Sequence, residues 1–426
     1  MTIVIRNGIV VDTEPQPVVI GAADVRIEGG KIAEVGPGLP DVPGAEVIDA
    51  SGMIVMPGFV DSHRHTWQAG IRAVAPDMTF QGYLQRILGE LAPGYRPEDV
   101  YAGNLAGALE CLDAGITTLL DWSHVQFTPA HTEQAVRALH ESGIRAVFGF
   151  CHGGPPEGLV EEGRRVHDTY FGTSGLVSMA VAALGPEIVG EEHALDEWRL
   201  ARELDLPVTA HLGGHGQESA ASGLAFLRDN GLLGTRTTYV HANHYADDHL
   251  KFIADSGGSV SVSPIDEMTL GIGYPVSGRA RAAGIPTSLS VDTVTCAPGD
   301  MFSLMRTAFA LERGRPGGEG LGFTTRDVLR MATIEGAEVV GLGDVTGSLR
   351  PGKQADVVLL RTGTLGMAAA QDPIGAVVLN AGTDAVDTVL VAGRVVKRDG
   401  RLLHHDVTAV LASLTESAAR VTAASS

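Results

Sequence analysis

Histidines follow short apolar segments of this chain at positions suited to metal binding. The segment 54–60 is apolar, and His63 and His65 come directly after it. In a β-strand alternate side chains share a face, so the two imidazoles project together. Such a pair can hold one ion, because imidazole binds zinc, iron, nickel and copper. Most His-x-His pairs are surface or packing histidines, so this pair gains weight only if further ligands end other strands.

Three more candidate ligands end other apolar segments: His211, His241 and Asp292. Four neutral imidazoles and one carboxylate suit zinc or Fe(II), with a water completing the coordination. A divalent ion lowers the pKa of bound water towards about 7, which makes hydroxide available at neutral pH. The pattern predicts one divalent metal ion, zinc or Fe(II), and hydrolysis in which Asp292 also takes the proton of the water.

The elements that must position these ligands alternate between short apolar runs and longer segments of helical period. Eight strand–helix alternations predict a (β/α)₈ barrel, whose chemistry lies at the carboxyl ends of its strands. The predicted strands end near residues 63, 124, 152, 187, 211, 241, 264 and 292. The candidate ligands therefore belong to the same end of one barrel.

Both ends of the chain are rich in short predicted strands separated by turn signals such as Asn7-Gly8. We expect residues 1–56 to form the N-terminal half of a small β-sandwich. Residues 346–426 are expected to form its C-terminal half, followed by a terminal helix. The metal-dependent barrel, residues 57–345, is then inserted between the two halves.

Composition excludes several classes of function. The net charge of −20 over 426 residues argues against nucleic acid or an anionic membrane as partner. Three cysteines, odd in number and far apart, support neither a disulfide framework nor a Cys₄ zinc site. The beginning of the chain does not read as a signal peptide, and no apolar stretch is long enough to span a bilayer. We therefore expect a cytoplasmic protein of enzyme size that acts on a small molecule.

Three motifs resemble the amidohydrolase superfamily, and together they extend over nearly the whole chain. They are PGFVDSHRH at 57–65, DAGITT at 113–118, and ATIEGA at 332–337 followed by GSLRPGKQAD at 347–356. The resemblance is to the mononuclear branch of purine, pyrimidine and triazine deaminases and chlorohydrolases, similar to cytosine, adenosylhomocysteine and 8-oxoguanine deaminases and triazine hydrolases. It implies a hydrolase of carbon–nitrogen bonds other than peptide bonds, with the metal shell His63, His65, His211, His241 and Asp292.

The resemblance also implies a role for His244, which matches a histidine that contacts substrate and helps the aspartate move protons. A structural position beside the ligands is the alternative for this residue. The predicted fourth strand does not end in a lysine that could be carbamylated, so one metal ion is expected rather than two. Barrel enzymes of this kind often dimerise, so a homo-oligomer is among the expected states.

One position departs from the family pattern. Deaminases of this branch usually carry His-x-x-Glu on strand five, where the glutamate shuttles a proton to the ring and the leaving group. Here the segment is HLGGH at 211–215, so Gly214 stands where the glutamate would be. General acid–base help is worth roughly 10²–10⁴ in rate. His215, with an ordinary pKa near ~6.5, and Glu187 are the candidate replacements, and both can also be interpreted as structural.

Substrate contacts are expected from residues around the barrel mouth. Gln68 has an amide that can read the donor and acceptor edge of a heterocycle, and Trp67 can stack on a flat ring or pack its own loop. His124 and His152 follow predicted strands two and three and face the same mouth. SPIDE at 263–267 replaces the Pro-x-Ser-Asn of relatives, which predicts a different substrate, with Asp266 or Glu267 meeting a cationic or amino group.

Four functions are consistent with these residues. The leading hypothesis is hydrolytic deamination of a nitrogen heterocycle, with Asp292, His244 and His215 handling protons. The second is ring opening of a cyclic amide or imidazolone, for which Gly214 is less of an obstacle. The third is a lyase or decarboxylase that uses the metal only as a Lewis acid. The fourth, a metal-binding or ligand-sensing relic, is disfavoured because all five candidate ligands are present.

Overall fold

The computed structural model describes residues 1–154, 156–171, 175–234 and 236–423. The strands are β1 Thr2–Asp12, β2 Val18–Glu28, β3 Lys31–Gly36, β4 Glu46–Asp49, β5 Met53–Pro57, β6 Phe59–Arg64, β7 Ile116–Gln126, β8 Arg145–His152, β9 Val177–Ala183, β10 Val208–Leu212, β11 Thr237–His241, β12 Ser259–Val262, β13 Thr287–Leu289, β14 Val357–Arg361, β15 Val386–Val391, β16 Arg394–Arg398 and β17 Arg401–Leu402.

The α-helices are α1 Phe80–Tyr83, α2 Pro97–Asp113, α3 Pro129–Ser142, α4 Leu159–Tyr170, α5 Pro186–Val189, α6 Glu191–Glu203, α7 Gln217–Asp229, α8 Asp247–Asp255, α9 Pro264–Thr269, α10 Ser277–Ala282, α11 Met301–Arg313, α12 Thr325–Met331, α13 Ile334–Val339, α14 Pro373–Leu379 and α15 Val407–Ala423. A 3₁₀ turn, Thr66–Ile71, follows β6, and a π-helical segment, Leu84–Leu91, continues α1. No described helix is long and apolar enough to cross a membrane.

The chain forms two compact units. The first contains Met1–Asp61, Glu110–Thr118 and Asp300–His405. The second contains Ser62–Leu109 and Leu119–Gly299, and the final helix α15 groups with it. The predicted domain boundaries at residues 57 and 345 stay a prediction, because a division into compact units does not establish which segments fold independently.

The first unit contains a nine-stranded mixed sheet built from both ends of the chain. Its strand order is β17-β16-β15-β14-β5-β1-β2-β3, and β4 pairs with β1. Strand β5 joins the two ends because it runs parallel to β1 and antiparallel to β14. β-branched and aliphatic residues on one face form its core, including Ile5, Val25 and Leu359, which are fully buried. The predicted β-layer from both termini is confirmed.

The other sheet has eight strands, and its order β13-β12-β11-β10-β9-β8-β7-β6 follows the chain. Its strands are buried almost throughout, as is typical of a parallel sheet covered by helices. After β13, Arg64 and Asp292 form a parallel bridge that closes the sheet. Here His65 N–H donates to Asp292 O at 2.8 Å, and Asp292 N–H donates to His63 O at 2.9 Å. The predicted (β/α)₈ barrel is confirmed.

Candidate metal centre and active site

The carboxyl ends of four barrel regions bring the five predicted metal ligands together. His63 lies on β6 and His65 follows it, while His211 lies on β10, His241 ends β11 and Asp292 follows β13. Parallel strands of a barrel place their carboxyl ends at one mouth, so residues distant in sequence meet there. The left-handed backbone of His241, with φ 75°, and of Asp292, with φ 61°, is costly for residues other than glycine. Such strain is concentrated at functional sites.

The Asp292 carboxylate lies at the centre of this group. Its Oδ1 lies 3.4 Å from His63 Nε2 and 3.2 Å from His65 Nε2. Its Oδ2 lies 3.7 Å from His241 Nε2. The His211 ring centroid is 4.9 Å from that of His63 and 5.5 Å from that of His241. Donor atoms of His63, His211 and His241 lie within 4.8 Å of one another, as do those of His63, His65 and Asp292.

Hydrogen bonds orient two of these imidazoles. His65 Nδ1 donates to the carbonyl oxygen of Trp122 at 2.7 Å, and His241 Nδ1 donates to Glu267 Oε1 at 3.3 Å. A bond at Nδ1 fixes the ring and turns Nε2 towards the metal position. His211 Nδ1 is buried and has no hydrogen-bond partner among the described residues. A buried nitrogen without a partner fits a ligand that the protein itself does not supply.

Burial favours the neutral form of two of these rings, the form in which imidazole binds a metal ion, whereas the hydrogen bond to Glu267 and the nearby Asp292 carboxylate raise the pKa of His241 above its ordinary value despite burial. Burial lowers the pKa of His63 to about 4 and holds the pKa of His211 well below its ordinary value. Burial alone would raise the pKa of Asp292, but hydrogen bonds with His63 and His65 hold it well below its usual value. Neutral nitrogens around an ionised carboxylate form a donor set that fits a divalent ion.

Glu267 supports the site from behind His241 and is fully buried. Besides the bond from His241, it accepts the Ser263 N–H at Oε1 (2.8 Å) and Asn243 Nδ2 at Oε2 (3.0 Å). This is the carboxylate–histidine arrangement that commonly fixes a metal-bound imidazole. Sequence reasoning placed Glu267 among candidates for binding an amino group and did not foresee this support of His241. The available signal was that Glu267 lies four residues after Ser263, the N-cap residue of α9.

The candidate site opens into a cavity whose wall is mostly apolar. Its lining consists of His65, His124, His211, His215, His241, Asp292, Tyr83, Phe80, Leu84, Leu88, Leu184, Ile188, Leu270 and Ile272. His124 lies over His65 with ring centroids 4.1 Å apart, and His215 lies 5.4 Å from Phe80. Burial lowers the pKa of His215, and the nearby His241 and His244 lower it further. Of the predicted proton and substrate residues, His124, His215 and Asp292 therefore line the cavity.

The other predicted substrate residues lie behind the described wall. Gln68 is fully buried and donates from Nε2 to the Tyr83 hydroxyl at 2.7 Å. Trp67 is also fully buried and packs edge-on against Tyr95 at 4.9 Å. The described lining does not include His152. The predicted contact of Gln68, Trp67 and His152 with substrate stays a prediction. In the structure, Trp67 packs against Tyr95.

Three further predicted residues support loops near the mouth. Glu187 accepts the Gly213 N–H at 2.7 Å, and burial raises the pKa of this carboxyl group to about 7. Asp266 is fully buried and accepts the Thr293 N–H at 3.3 Å and the Cys296 thiol at 2.6 Å.

The His244 ring donates from Nε2 to the carbonyl oxygen of Ile272 at 2.7 Å. The backbone N–H of His244 donates to the carbonyl oxygen of Gly213 at 2.9 Å. These bonds tie the β11 loop to two neighbouring loops. His244 is not part of the described lining, so its predicted role in proton transfer stays a prediction.

Gly214 leaves space beside the metal position. A Cβ atom at this residue would lie 3.6 Å from His241 Cδ2 and 3.7 Å from Ile272 Cγ2, which are ordinary contacts. A side chain at 214 would thus start next to a candidate ligand. The Cβ atom of a glutamate at this position would therefore fit without a clash.

Comparisons with known proteins agree with this geometry. Residues 54–396 match the Amidohydrolase family. A 5-methylthioadenosine/S-adenosylhomocysteine deaminase of Symbiobacterium thermophilum is 30% identical over 438 residues, covering 98% of this chain and 99% of the relative. A 5'-deoxyadenosine deaminase of Methanothermobacter thermautotrophicus is 28% identical over 397 residues, covering 90% of this chain and 91% of the relative.

Solved structures give the same result for the fold. An adenosine deaminase from Xanthomonas campestris with bound zinc superposes with a TM-score of 0.91 at 25% identity, covering 99% of this chain and 98% of that one. An atrazine chlorohydrolase from Arthrobacter aurescens complexed with zinc gives 0.90 at 24% identity, covering 98% and 100%. The resemblance and the enzyme class predicted from the motifs are confirmed. The chain belongs to the amidohydrolase family.

Proposed function

We propose that this protein hydrolyses a carbon–nitrogen bond of a small neutral nitrogen heterocycle, with hydrolytic deamination as the reaction. The observation that carries the proposal is the convergence of four imidazoles and one carboxylate at the base of a mostly apolar cavity. A divalent ion held there, zinc or Fe(II), would supply a water of lowered pKa near neutral pH. Deaminases and a zinc-containing relative among the similar proteins support this choice.

The protein's own residues account for the proton transfers. Asp292 is ionised and placed at the centre of the ligands, so it accepts the proton of the attacking water. The same carboxyl group then returns that proton to the departing nitrogen, and the products are ammonia and the oxo-heterocycle. His215 lines the cavity and is the group that we assign to the second proton-handling position.

The cavity wall limits the substrate. Neither lysine nor arginine is among the described residues that line it, and eight of its side chains are apolar or aromatic. An anionic substrate would lose hydration there without gaining an ion pair, which is costly, and Asp292, the ionised carboxylate of the lining, is already among the candidate metal ligands. A flat, neutral ring fits this wall, and its aminated carbon can face the ligands. We therefore place the substrate among neutral aminated heterocycles.

Asp292→Asn is the direct test. The protein, loaded with zinc or Fe(II), is assayed for ammonia release from a panel of aminated purines, pyrimidines, pterins and triazines. We expect the protein to release ammonia from at least one compound of the panel. Asp292→Asn should lower kcat by roughly 10²-fold or more, because general acid–base catalysis contributes roughly 10²–10⁴ in rate. Metal content and melting temperature are measured on both proteins. Full activity of a metal-loaded Asp292→Asn protein would refute the mechanism.

Gly214 favours a second candidate, the opening of a cyclic amide or imidazolone ring. The leaving nitrogen stays attached to the product in that reaction, so the glutamate that usually serves deamination is needed less. The same panel, extended with lactams, separates the two candidates, because ring opening consumes substrate without releasing ammonia. Appearance of solvent ¹⁸O in the product separates both from a lyase.

A further inference from the structure

Tyr83 ends helix α1 and lines the cavity. It is 5% exposed and belongs to the described lining of the cavity. Two contacts fix the segment that presents it: Phe80 N–H donates to Leu270 O at 2.8 Å, and Gly82 N–H donates to Thr79 Oγ1 at 3.2 Å. Among the described residues of the lining, Tyr83 offers the phenolic hydroxyl group. A fixed hydroxyl group in a mostly apolar wall can orient a substrate.

A chain of hydrogen bonds behind the cavity determines what the Tyr83 oxygen does. Thr293 Oγ1 donates to Gln68 Oε1, and Thr295 N–H donates to Thr293 Oγ1 at 3.0 Å. Since its carbonyl oxygen accepts from Thr293, the Gln68 amide presents Nε2 to Tyr83 and donates at 2.7 Å. The Tyr83 oxygen is therefore an acceptor on its buried side, and its own proton is available to another acceptor.

The surroundings keep that proton on the phenol. Burial raises the pKa of Tyr83 well above its usual value, and the nearby Asp292 carboxylate raises it further. A phenol of this kind donates a hydrogen bond and does not act as a base. Gln68 and Thr293, which do not line the described cavity, act through the tyrosine and are positioning residues.

We propose that the Tyr83 hydroxyl donates a hydrogen bond to an acceptor atom of the heterocycle, a ring nitrogen or carbonyl oxygen beside the carbon that water attacks. This inference rests on the proposed function and adds a substrate-contacting residue to it. Attack by water places negative charge on that acceptor, and a fixed donor stabilises the charge more than it stabilises the substrate. Tyr83 thereby stabilises the charge on the ring by a hydrogen bond, whereas a glutamate at position 214 would neutralise it by transferring a proton.

Three variants test the proposal. Tyr83→Phe removes only the donor, and we expect kcat to fall about 10²-fold, at the lower end for loss of one such donor, with a smaller change in KM. Gln68→Glu replaces the donating amide by a carboxylate that accepts the Tyr83 O–H, so we expect a similar loss with the tyrosine still present. The double variant should lose no more than either single one, because both act on one hydrogen bond.

Tyr95→Phe is the matched control. Tyr95 is 4% exposed, belongs to the same unit and does not line the described cavity, so kcat should stay within twofold of the unchanged protein. Binding of the reaction product, measured by calorimetry on metal-loaded protein, provides a readout that needs no turnover. Tyr83→Phe and Gln68→Glu should both weaken it, and Tyr95→Phe should not. Melting temperatures separate these effects from unfolding.

The outcomes distinguish this inference from the function on which it rests. An active protein whose Tyr83→Phe variant keeps kcat and product affinity within twofold overturns the role of Tyr83 alone. A Gln68→Glu variant that behaves like the unchanged protein overturns the hydrogen-bond direction, and with it the proposal. A metal-loaded protein that turns over no aminated heterocycle and no lactam overturns the proposed function and this inference together.

Discussion

The support of His241 by Glu267 leads to a prediction that can be worked out atom by atom. The Glu267 carboxylate accepts three hydrogen bonds at a fully buried position, two at Oε1 and one at Oε2. Glu267→Gln keeps the shape of the side chain but replaces one acceptor oxygen by an NH₂ donor. The least costly orientation keeps oxygen at the Oε1 position, where it still accepts from Ser263 and His241. The new NH₂ group then faces Asn243 Nδ2, so one donor opposes another.

The cost has two parts. Opposing donors at a buried position lower the free energy of unfolding by about 1–3 kcal/mol. His241 also exchanges a charged acceptor for a neutral one, which roughly halves the strength of the bond that orients it. Loss of such an orienting partner typically weakens metal binding by about 10–100-fold. A tenfold change corresponds to about 1.4 kcal/mol of binding free energy, so both effects are measurable.

Competition with a chromophoric chelator measures metal affinity, and urea unfolding of the metal-free protein measures stability. Glu197→Gln is the matched control, because Glu197 is also buried and accepts the N–H groups of Leu184 and Gly185 at 2.8 and 3.0 Å. It contacts none of the candidate ligands in these bonds, so its variant should keep metal affinity. A folded Glu267→Gln protein whose metal affinity stays within twofold of the original would refute the reasoning.

Two further predictions concern Gly214 and Glu197. Gly214→Glu should raise ammonia release from aminated heterocycles, by up to roughly 10²–10⁴, because the first side-chain atom makes only ordinary contacts and the carboxyl group can shuttle a proton. Gly214→Gln has the same size without that proton and should give no gain, and equal rates for the two variants would contradict the explanation. Burial raises the pKa of Glu197 from 4.5 to about 7. The folded state therefore holds this proton more tightly than the unfolded state, and stability should fall as pH rises from about 4.5 to 7, by at most about 3 kcal/mol. Urea unfolding at pH 5 and pH 8 should show a larger decline in the original protein than in Glu197→Gln, where Glu187, whose pKa burial also raises to about 7, still contributes, and identical pH dependence of the two proteins would disprove it.

The barrel and the grouping of the five candidate ligands could be predicted from the sequence because both follow from local patterns. Each ligand ends a short apolar run, and a parallel barrel gathers strand ends at one mouth whatever the loops do. His211 and Asp292 could therefore be assigned to one site without knowledge of a single contact between them. The same reasoning placed the β-layer at the two ends of the chain, since alternating runs with turn signals appear at both.

The residues around the ligands could not be predicted in the same way. Gln68 and Trp67 follow the first ligand pair closely, yet both turn inward, because a 3₁₀ turn after β6 directs them into the protein. Adjacent acidic residues diverge for a similar reason: on α9, Asp266 faces the Thr293 backbone whereas Glu267 faces His241. Tyr83 ends the four-residue helix α1, which no sequence motif marks, so only the folded chain places it beside the cavity.

The closure of the barrel gives Asp292 two tasks in one residue. Its backbone joins the last strand region to the first, while its carboxylate faces histidines from that first strand. An ion bound by both His63 and Asp292 would cross-link the first and last strand regions of the barrel. Cross-links between segments distant in sequence restrict the unfolded chain most. Release of the ion would therefore remove one cross-link at this join, although the backbone hydrogen bonds of Asp292 with His63 and His65 would remain. Binding of the ion and stability of the barrel would then be coupled.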